Sequence, residues 1–291
     1  MDIGEDVVQT DPNSKKVARA LSSTDLSVVL ELFMTKTAEL ADVVLPGASF
    51  LEKSGTFTNG KRRVQRVNQV VEPLEGTKPD GQIVLDMMNR MGVNQPDYDP
   101  AQVLEEVSRI VPFFAGIKWE ELGDNGKQWP VTADGQDTKI LHQGTIRRGK
   151  GLFAFNAFKE SEEIVNLQDR FPYILTTNRN LEHYNCGAQT RRTANVEIVT
   201  EDVIFIHPDD AAEHGIEDTD IVCVESERGK IDIKAKVSDE IKQGVLSTTF
   251  HFPEVMVNDL TSDVHDTEAM CPDYKVVSVS NRKARKVVSR V

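Results

Sequence analysis

The residues best equipped for chemistry in this chain are hydrogen-bond donors rather than paired acids and bases. The run TTNRNLEHYNC, residues 176–186, gathers a guanidinium, an imidazole, three amides and three hydroxyls. Arg179 presents a planar fork that can hold a phosphate through two parallel hydrogen bonds, and His183 and Asn185 follow it within the same run. A plainer reading makes Arg179 and His183 loop residues satisfied by surface carboxylates, and composition alone favours it. A second polar stretch, GASFLEKSGTFTNGKRRVQR, is rich in Gly, Ser, Thr and Asn and reads as a long functional loop. The three cysteines, Cys186, Cys223 and Cys271, are far apart and form no C-x-x-C pair. That pattern argues against a disulfide framework and against a zinc or iron–sulfur site built by this chain alone. Each cysteine reads as a small buried hydrophobe.

Several elements must position these groups. LSVVLELF, residues 26–33, has the β-branched apolar character of a buried strand, and Thr35-Lys36-Thr37 supplies hydroxyls where a helix can start. Such strand-to-helix turns present outward-pointing N–H groups and commonly hold phosphates or nucleotides. Val43 to Pro46 is a second apolar run. Helical spacing of Ile83, Val84, Met87, Met88 and Met91 predicts a helix from Pro79 to Met91, with the methionines in a core and Gly92 ending it. Another helix is expected from Pro100 to Ile110. Residues 123–150 turn polar and glycine-rich, as in a linker. Beyond them the period changes to two. Strands are expected at Tyr173–Thr177, Ile221–Val224, Ile231–Val237 and Gly244–Phe250, with a turn at Glu227–Lys230 and one short helix from Pro208 to His214. A compact β-barrel fits this pattern better than alternating strands and helices.

With 291 residues and 39% hydrophobic composition, the chain can form two domains. A net charge of -13 repels nucleic acid and anionic membrane surfaces. No apolar run approaches the ~20 residues of a membrane span, and the acidic start does not read as a signal peptide, so a soluble, cytoplasmic protein is expected.

The segments GEDVVQTDP, LFMTKTAELADVVLPGASFLEKSGTFTNGKRRVQRV, TTNRNLEHYNCGAQTRR and HFPEVMVNDLTSDVHDTEAMCPDYKVVSV, in that order, resemble the catalytic subunit of molybdopterin-guanine-dinucleotide oxidoreductases, above all formate dehydrogenase. The resemblance runs over essentially the whole chain. It implies a partial α/β domain with a parallel sheet over residues 1–135, followed by a mainly-β double-psi barrel over residues 136–291. It further implies that the first half of such a subunit lies elsewhere, together with its Fe-S cysteines, its metal-ligating residue and its catalytic His and Arg, so no catalytic or metal-ligating residue is expected here.

By the same resemblance the cofactor is a bis-molybdopterin guanine dinucleotide carrying Mo or W. Its contacts are expected at Glu31, Thr35, Thr37, Asn59, Thr177, Arg179, His183, Asn185, Phe250, Asn258, Tyr274 and Lys275. Glu31 stands where relatives often carry Asp, and Phe250 where some carry Tyr. Thr35 and Thr37 can equally cap the helix. Gly60-Lys61-Arg62-Arg63 departs from a common Thr-Glu-Arg-Arg, and its cations either face solvent or neutralise cofactor phosphates. The terminal run RKARKVVSR reads as an exposed tail. The implied function is two-electron oxidation of formate to carbon dioxide, in company with an amino-terminal half and an electron-transfer subunit. A nitrate reductase-like enzyme and a non-catalytic scaffold relative are the alternatives. The chain by itself is expected to be inert and prone to associate.

Overall fold

A computed structural model describes residues 1–144, 146, 148–155, 157–266 and 268–284. The chain forms two compact units, residues 1–44 with 157–291, and residues 45–156. This division by packing falls elsewhere than the one the family resemblance implies.

The first unit opens with β1 (Asp2–Ile3), α1 (Val7–Thr10), α2 (Ser14–Leu21), β2 (Val28–Glu31) and α3 (Lys36–Glu39). β3 (Val43–Pro46) carries the chain into the second unit and completes a sheet of order β1-β2-β3, in which β1 and β2 run parallel. The expected strand-to-helix turn is present: β2 buries Val29 and Leu30, and the Thr35 hydroxyl caps α3 by accepting from the Ala38 N–H at 3.2 Å.

The second unit contains β4 (Gly55–Thr58), β5 (Arg63–Val67), α4 (Asp80–Arg90), α5 (Pro100–Ile110) and β6 (Lys127–Gln128), the three strands forming an antiparallel sheet of order β4-β5-β6. The expected long loop is therefore largely a hairpin. Asn59-Gly60 is a turn signal between two β-prone runs, and that local chemistry outweighs the polar composition. The helices lie where expected, but their apolar stripes are not core throughout. Ile83 and Leu104 are buried, whereas Met91 is 81% exposed. Part of the expected linker also belongs to this unit, because Leu122 and Val131 join Val64, Leu104 and Ile117 in its core.

Returning to the first unit, the chain adds α6 (Glu162–Leu167), β7 (Tyr173–Thr177), β8 (Val203–Ile206), α7 (Pro208–Glu213), β9 (Ile221–Glu225), β10 (Lys230–Val237), β11 (Val245–Thr248) and β12 (Val277–Lys283). Six of these strands close a barrel in the order β10-β8-β11-β7-β12-β9. Its interior is lined by alternate residues of each strand, among them Leu175, Ile204, Val222, Ile233, Leu246 and Val279. Burial of each such side chain contributes roughly 1.5–3 kcal/mol. Arg282 and Lys283 lie in β12 and form ion pairs with Glu225 at 3.1 Å and Asp220 at 2.6 Å, so the start of the basic run is strand rather than tail. Residues 285–291 lie outside the described residues. Cys186 and Cys223 are buried as expected, but Cys271 is exposed.

Candidate functional site at one rim of the barrel

Strand pairing brings three distant segments to one rim. β7 and β11 are parallel, with Thr177 opposite Thr248, so both chains leave the barrel at the same end. β12 is antiparallel to β7, with Val277 opposite Leu175, so residues 274–276 enter at that end too. Arg179, Phe250, Tyr274 and Lys275 therefore converge although the sequence scatters them.

The Arg179 guanidinium carbon sits 4.1 Å from the centre of the buried Phe250 ring, a cation–π arrangement that holds the fork in place. Among the described residues Arg179 has no hydrogen-bond or carboxylate partner. Lys275 turns its ammonium inward onto the Thr177 carbonyl, although the residue as a whole is exposed. Burial pushes the Lys275 pKa down, and the positive charge of Arg179 pushes it further. Two neighbouring cations that disfavour one another thus stand at this rim of a strongly acidic chain. The Thr177 hydroxyl is spent on the Tyr274 carbonyl at 3.1 Å. Tyr274 donates its own hydroxyl to the Thr10 carbonyl at 2.9 Å, and burial first, then the Asp11 charge, pushes its pKa up to about 12.

Other expected contacts have protein partners. Asn258 is fully buried and donates to the Gln9 and Thr10 carbonyls at 2.8 and 3.1 Å, which makes it a latch between the barrel and α1. The His183 ring donates from Nε2 to the Val199 carbonyl at 2.8 Å and accepts at Nδ1 from the Thr190 hydroxyl at 3.1 Å. Both ring nitrogens are engaged, so His183 anchors its loop. Asn185 adopts a left-handed backbone with φ of 50° and donates its amide to Glu5 at 2.9 Å. Thr37 donates to the Asp6 carboxylate at 2.7 Å, and the Lys36 and Thr37 N–H groups donate to the same carboxylate at 3.2 and 2.9 Å. The N-terminus of α3 therefore already holds an anion, supplied by the chain itself.

Glu31 lines a cleft of about 270 Å³ with Gly4, Glu5, Asp6, Tyr184 and Asn185. Burial raises its pKa, against the lowering effect of the Leu32 N–H that donates to it at 2.7 Å. A second cleft, of about 540 Å³, is lined by residues 179–185 with Thr190 and Asn195. In the second unit, Asn59 accepts from the Lys61 and Arg63 N–H groups at 2.9 and 3.1 Å, so it fixes the β4–β5 turn. Arg62 donates to the Trp129 and Thr138 carbonyls and Arg63 to the Asn125 carbonyl, so two of the cations expected either to face solvent or to neutralise phosphates are spent on backbone.

Residues missed in the sequence hold the rim together. Gln9 donates to both the Cys186 and Phe250 carbonyls, at 3.2 and 3.0 Å. Asp202, 1% exposed, accepts from the Thr249 hydroxyl and from the His251 and Phe252 N–H groups at 3.2 and 2.9 Å. Its burial raises its pKa. Gln9 stands in the matched GEDVVQTDP segment, which was a usable signal; Asp202 had none.

Two families match along the chain. Residues 3–90 match Molybdopterin oxidoreductase, and residues 173–278, which hold the converging rim, match Molydopterin dinucleotide binding domain. The chain thus carries matches to both of these molybdopterin-enzyme domains. It is homologous to formate dehydrogenase alpha subunits. It is 36% identical over 285 residues to an alpha subunit from Methanococcus maripaludis, covering 97% of this chain and 42% of that one. It is 33% identical to formate dehydrogenase H of Escherichia coli, covering 95% of this chain and 40% of that protein. The chain thus spans about two fifths of the length of these relatives. Acetylene hydratase from Pelobacter acetylenicus shares the fold, with a TM-score of 0.68 at 19% identity over 94% of this chain and 42% of that one.

Proposed function

We propose that this chain is the carboxy-terminal, cofactor-holding part of a molybdopterin-dependent formate dehydrogenase. Residues 1–135 are the latter part of an α/β cofactor-binding domain, and residues 136–291 a double-psi barrel. The two parallel strand pairs within one closed barrel, β7 with β11 and β8 with β10, support that topology. The reading is carried by Arg179 and Lys275, two cations brought together on Phe250 and Thr177 without a counter-ion among the described residues. A pyrophosphate linking pterin to guanosine supplies the missing negative charge. The donor set fits such a group better than it fits an acid–base reaction, because His183 and Asn258 are already spent.

Arg179 would hold one phosphate through its fork and Lys275 would neutralise the other. Glu31, at the end of β2, would accept from a guanine edge or a ribose hydroxyl. When bound, a bis-molybdopterin guanine dinucleotide carrying Mo or W supplies the two-electron acceptor for formate: the C–H bond breaks, carbon dioxide leaves, and a proton is released. This chain's part is to bind and orient. The metal ligand, the Fe-S cluster and the residues around the reacting carbon belong to an amino-terminal half, in the same polypeptide or a separate one, and electrons pass on to a partner subunit in the cytoplasm. Among the described residues no helix is long and apolar enough to cross a membrane.

The test is to purify the native complex containing this chain, measure its Mo, W and pterin content, and assay formate-dependent reduction of an artificial electron acceptor. Arg179→Ala should lower pterin content. A complex that retains full cofactor with Arg179→Ala, or that reduces nitrate and leaves formate untouched, refutes the assignment.

A further inference from the structure

We propose that His251, oriented by the buried carboxylate of Asp202, is the positioning residue that holds the Arg179 loop in its anion-binding form, and that it does so only as a neutral imidazole. The inference rests on the reading of Arg179 as a phosphate ligand, and it concerns a residue that would itself touch no cofactor.

The geometry is a two-point clamp. His251 is fully buried. Its Nδ1 donates to the Asn185 carbonyl at 2.6 Å, and its Nε2 accepts from the Asn180 N–H at 3.3 Å. One ring therefore ties both ends of the loop that carries Arg179. The residue before it, Phe250, places its ring beneath the Arg179 guanidinium, so consecutive residues grip residues 179 and 180. Asp202 fixes the backbone of this pair by accepting from the Thr249 hydroxyl and the His251 and Phe252 N–H groups. Gln9 ties the far side, and Gly187 permits it, since a side chain there would bring a Cβ within 2.6 Å of the His251 carbonyl.

The tautomer is dictated by the partners. A carbonyl requires a donor at Nδ1 and a backbone N–H requires an acceptor at Nε2, so a second ring proton has no place. Protonation would turn Nε2 into a donor facing the Asn180 N–H and release that end of the loop. Three charged or titratable groups face the ring: Asp202, which favours the cation, and His183 and Arg179, which disfavour it. Burial disfavours it most, so the neutral form is the resident one at neutral pH.

The probe is diguanosine pyrophosphate, a diester that lacks the titrating monoester group of a terminal phosphate, measured by calorimetry on the whole chain from pH 7.5 to 5.5. Wild type should lose affinity in step with His251 protonation as its imidazole ¹⁵N shifts report it, the titration being carried further down in pH until those shifts move. His251→Gln, which never ionises and can still give and take a hydrogen bond, should lose the part of the pH dependence that tracks the His251 shifts, leaving only that of Asp202 and Glu31. His251→Phe, which keeps a ring and loses both bonds, should bind roughly tenfold more weakly at pH 7.5. Arg179→Ala separates the two ideas: if it leaves affinity unchanged, the phosphate reading fails. If Arg179→Ala weakens binding while wild-type affinity stays flat as His251 protonates, the positioning role fails. The wild-type titration decides even if His251→Phe does not fold.

Discussion

Replacing Asn258 by Ala separates a latch from a ligand contact. The side chain lies fully buried with its amide donating to two carbonyls of α1, while its own oxygen accepts from the Thr261 hydroxyl at 3.3 Å. The Thr10 carbonyl keeps the Tyr274 hydroxyl as a donor after truncation, but the Gln9 carbonyl loses the Asn258 amide. Two buried hydrogen bonds are worth about 1 kcal/mol each, and a stranded buried carbonyl adds roughly 1–3 kcal/mol, so a loss of about 3–5 kcal/mol is expected. Urea unfolding followed by circular dichroism measures it. Dinucleotide affinity, measured where the variant is still folded, should change by less than about threefold, since the amide faces α1 and the effect on Arg179 is indirect. A variant of wild-type stability with strongly weakened binding would show that Asn258 serves the ligand and that its latch role is wrong.

Three further outcomes follow from the same geometry. Arg228 holds Glu163 through two contacts of 2.5 and 3.1 Å with both side chains nearly buried, so Arg228→Ala should cost about 3 kcal/mol in chemical unfolding; Arg228→Met with Glu163→Leu should recover much of it. Gly187 has φ of 70° and backs onto the His251 carbonyl, so Gly187→Ala should destabilise by more than about 1 kcal/mol, read as a lowered thermal midpoint. His251 has a folded pKa depressed by burial, so the unfolded chain binds its proton first. Its contribution to stability is complete above the unfolded value of about 6.5 and is lost as pH falls below it, which His251→Gln should abolish in unfolding curves taken at pH 7 and 5.

The barrel strands were legible because inward residues alternate with polar ones, as in Ile231, Ile233 and Ala235, and burial of one face enforces that period. The β4–β5 hairpin was missed because polar composition was weighed above the Asn59-Gly60 turn signal. At the site, family resemblance named Arg179, Phe250 and Lys275, which converge, together with His183 and Asn258, whose hydrogen-bonding capacity is taken by the protein. Residue type cannot tell a donor that faces a ligand from one that faces a carbonyl a long way off in sequence. Asp202 was hidden for another reason: it is one of 47 acidic residues, and burial and its three partners appear only when β8 pairs with β11.

The central claim is that two uncompensated cations at one barrel rim hold a pyrophosphate. Calorimetric titration of diguanosine pyrophosphate into wild type, Arg179→Ala, Lys275→Ala and the double variant tests it most directly. Each single change should weaken binding by roughly ten- to a hundredfold, with the double variant less than additive because the two charges are coupled. Unchanged affinity in both single variants, measured at low salt where cations act most strongly, would contradict the account.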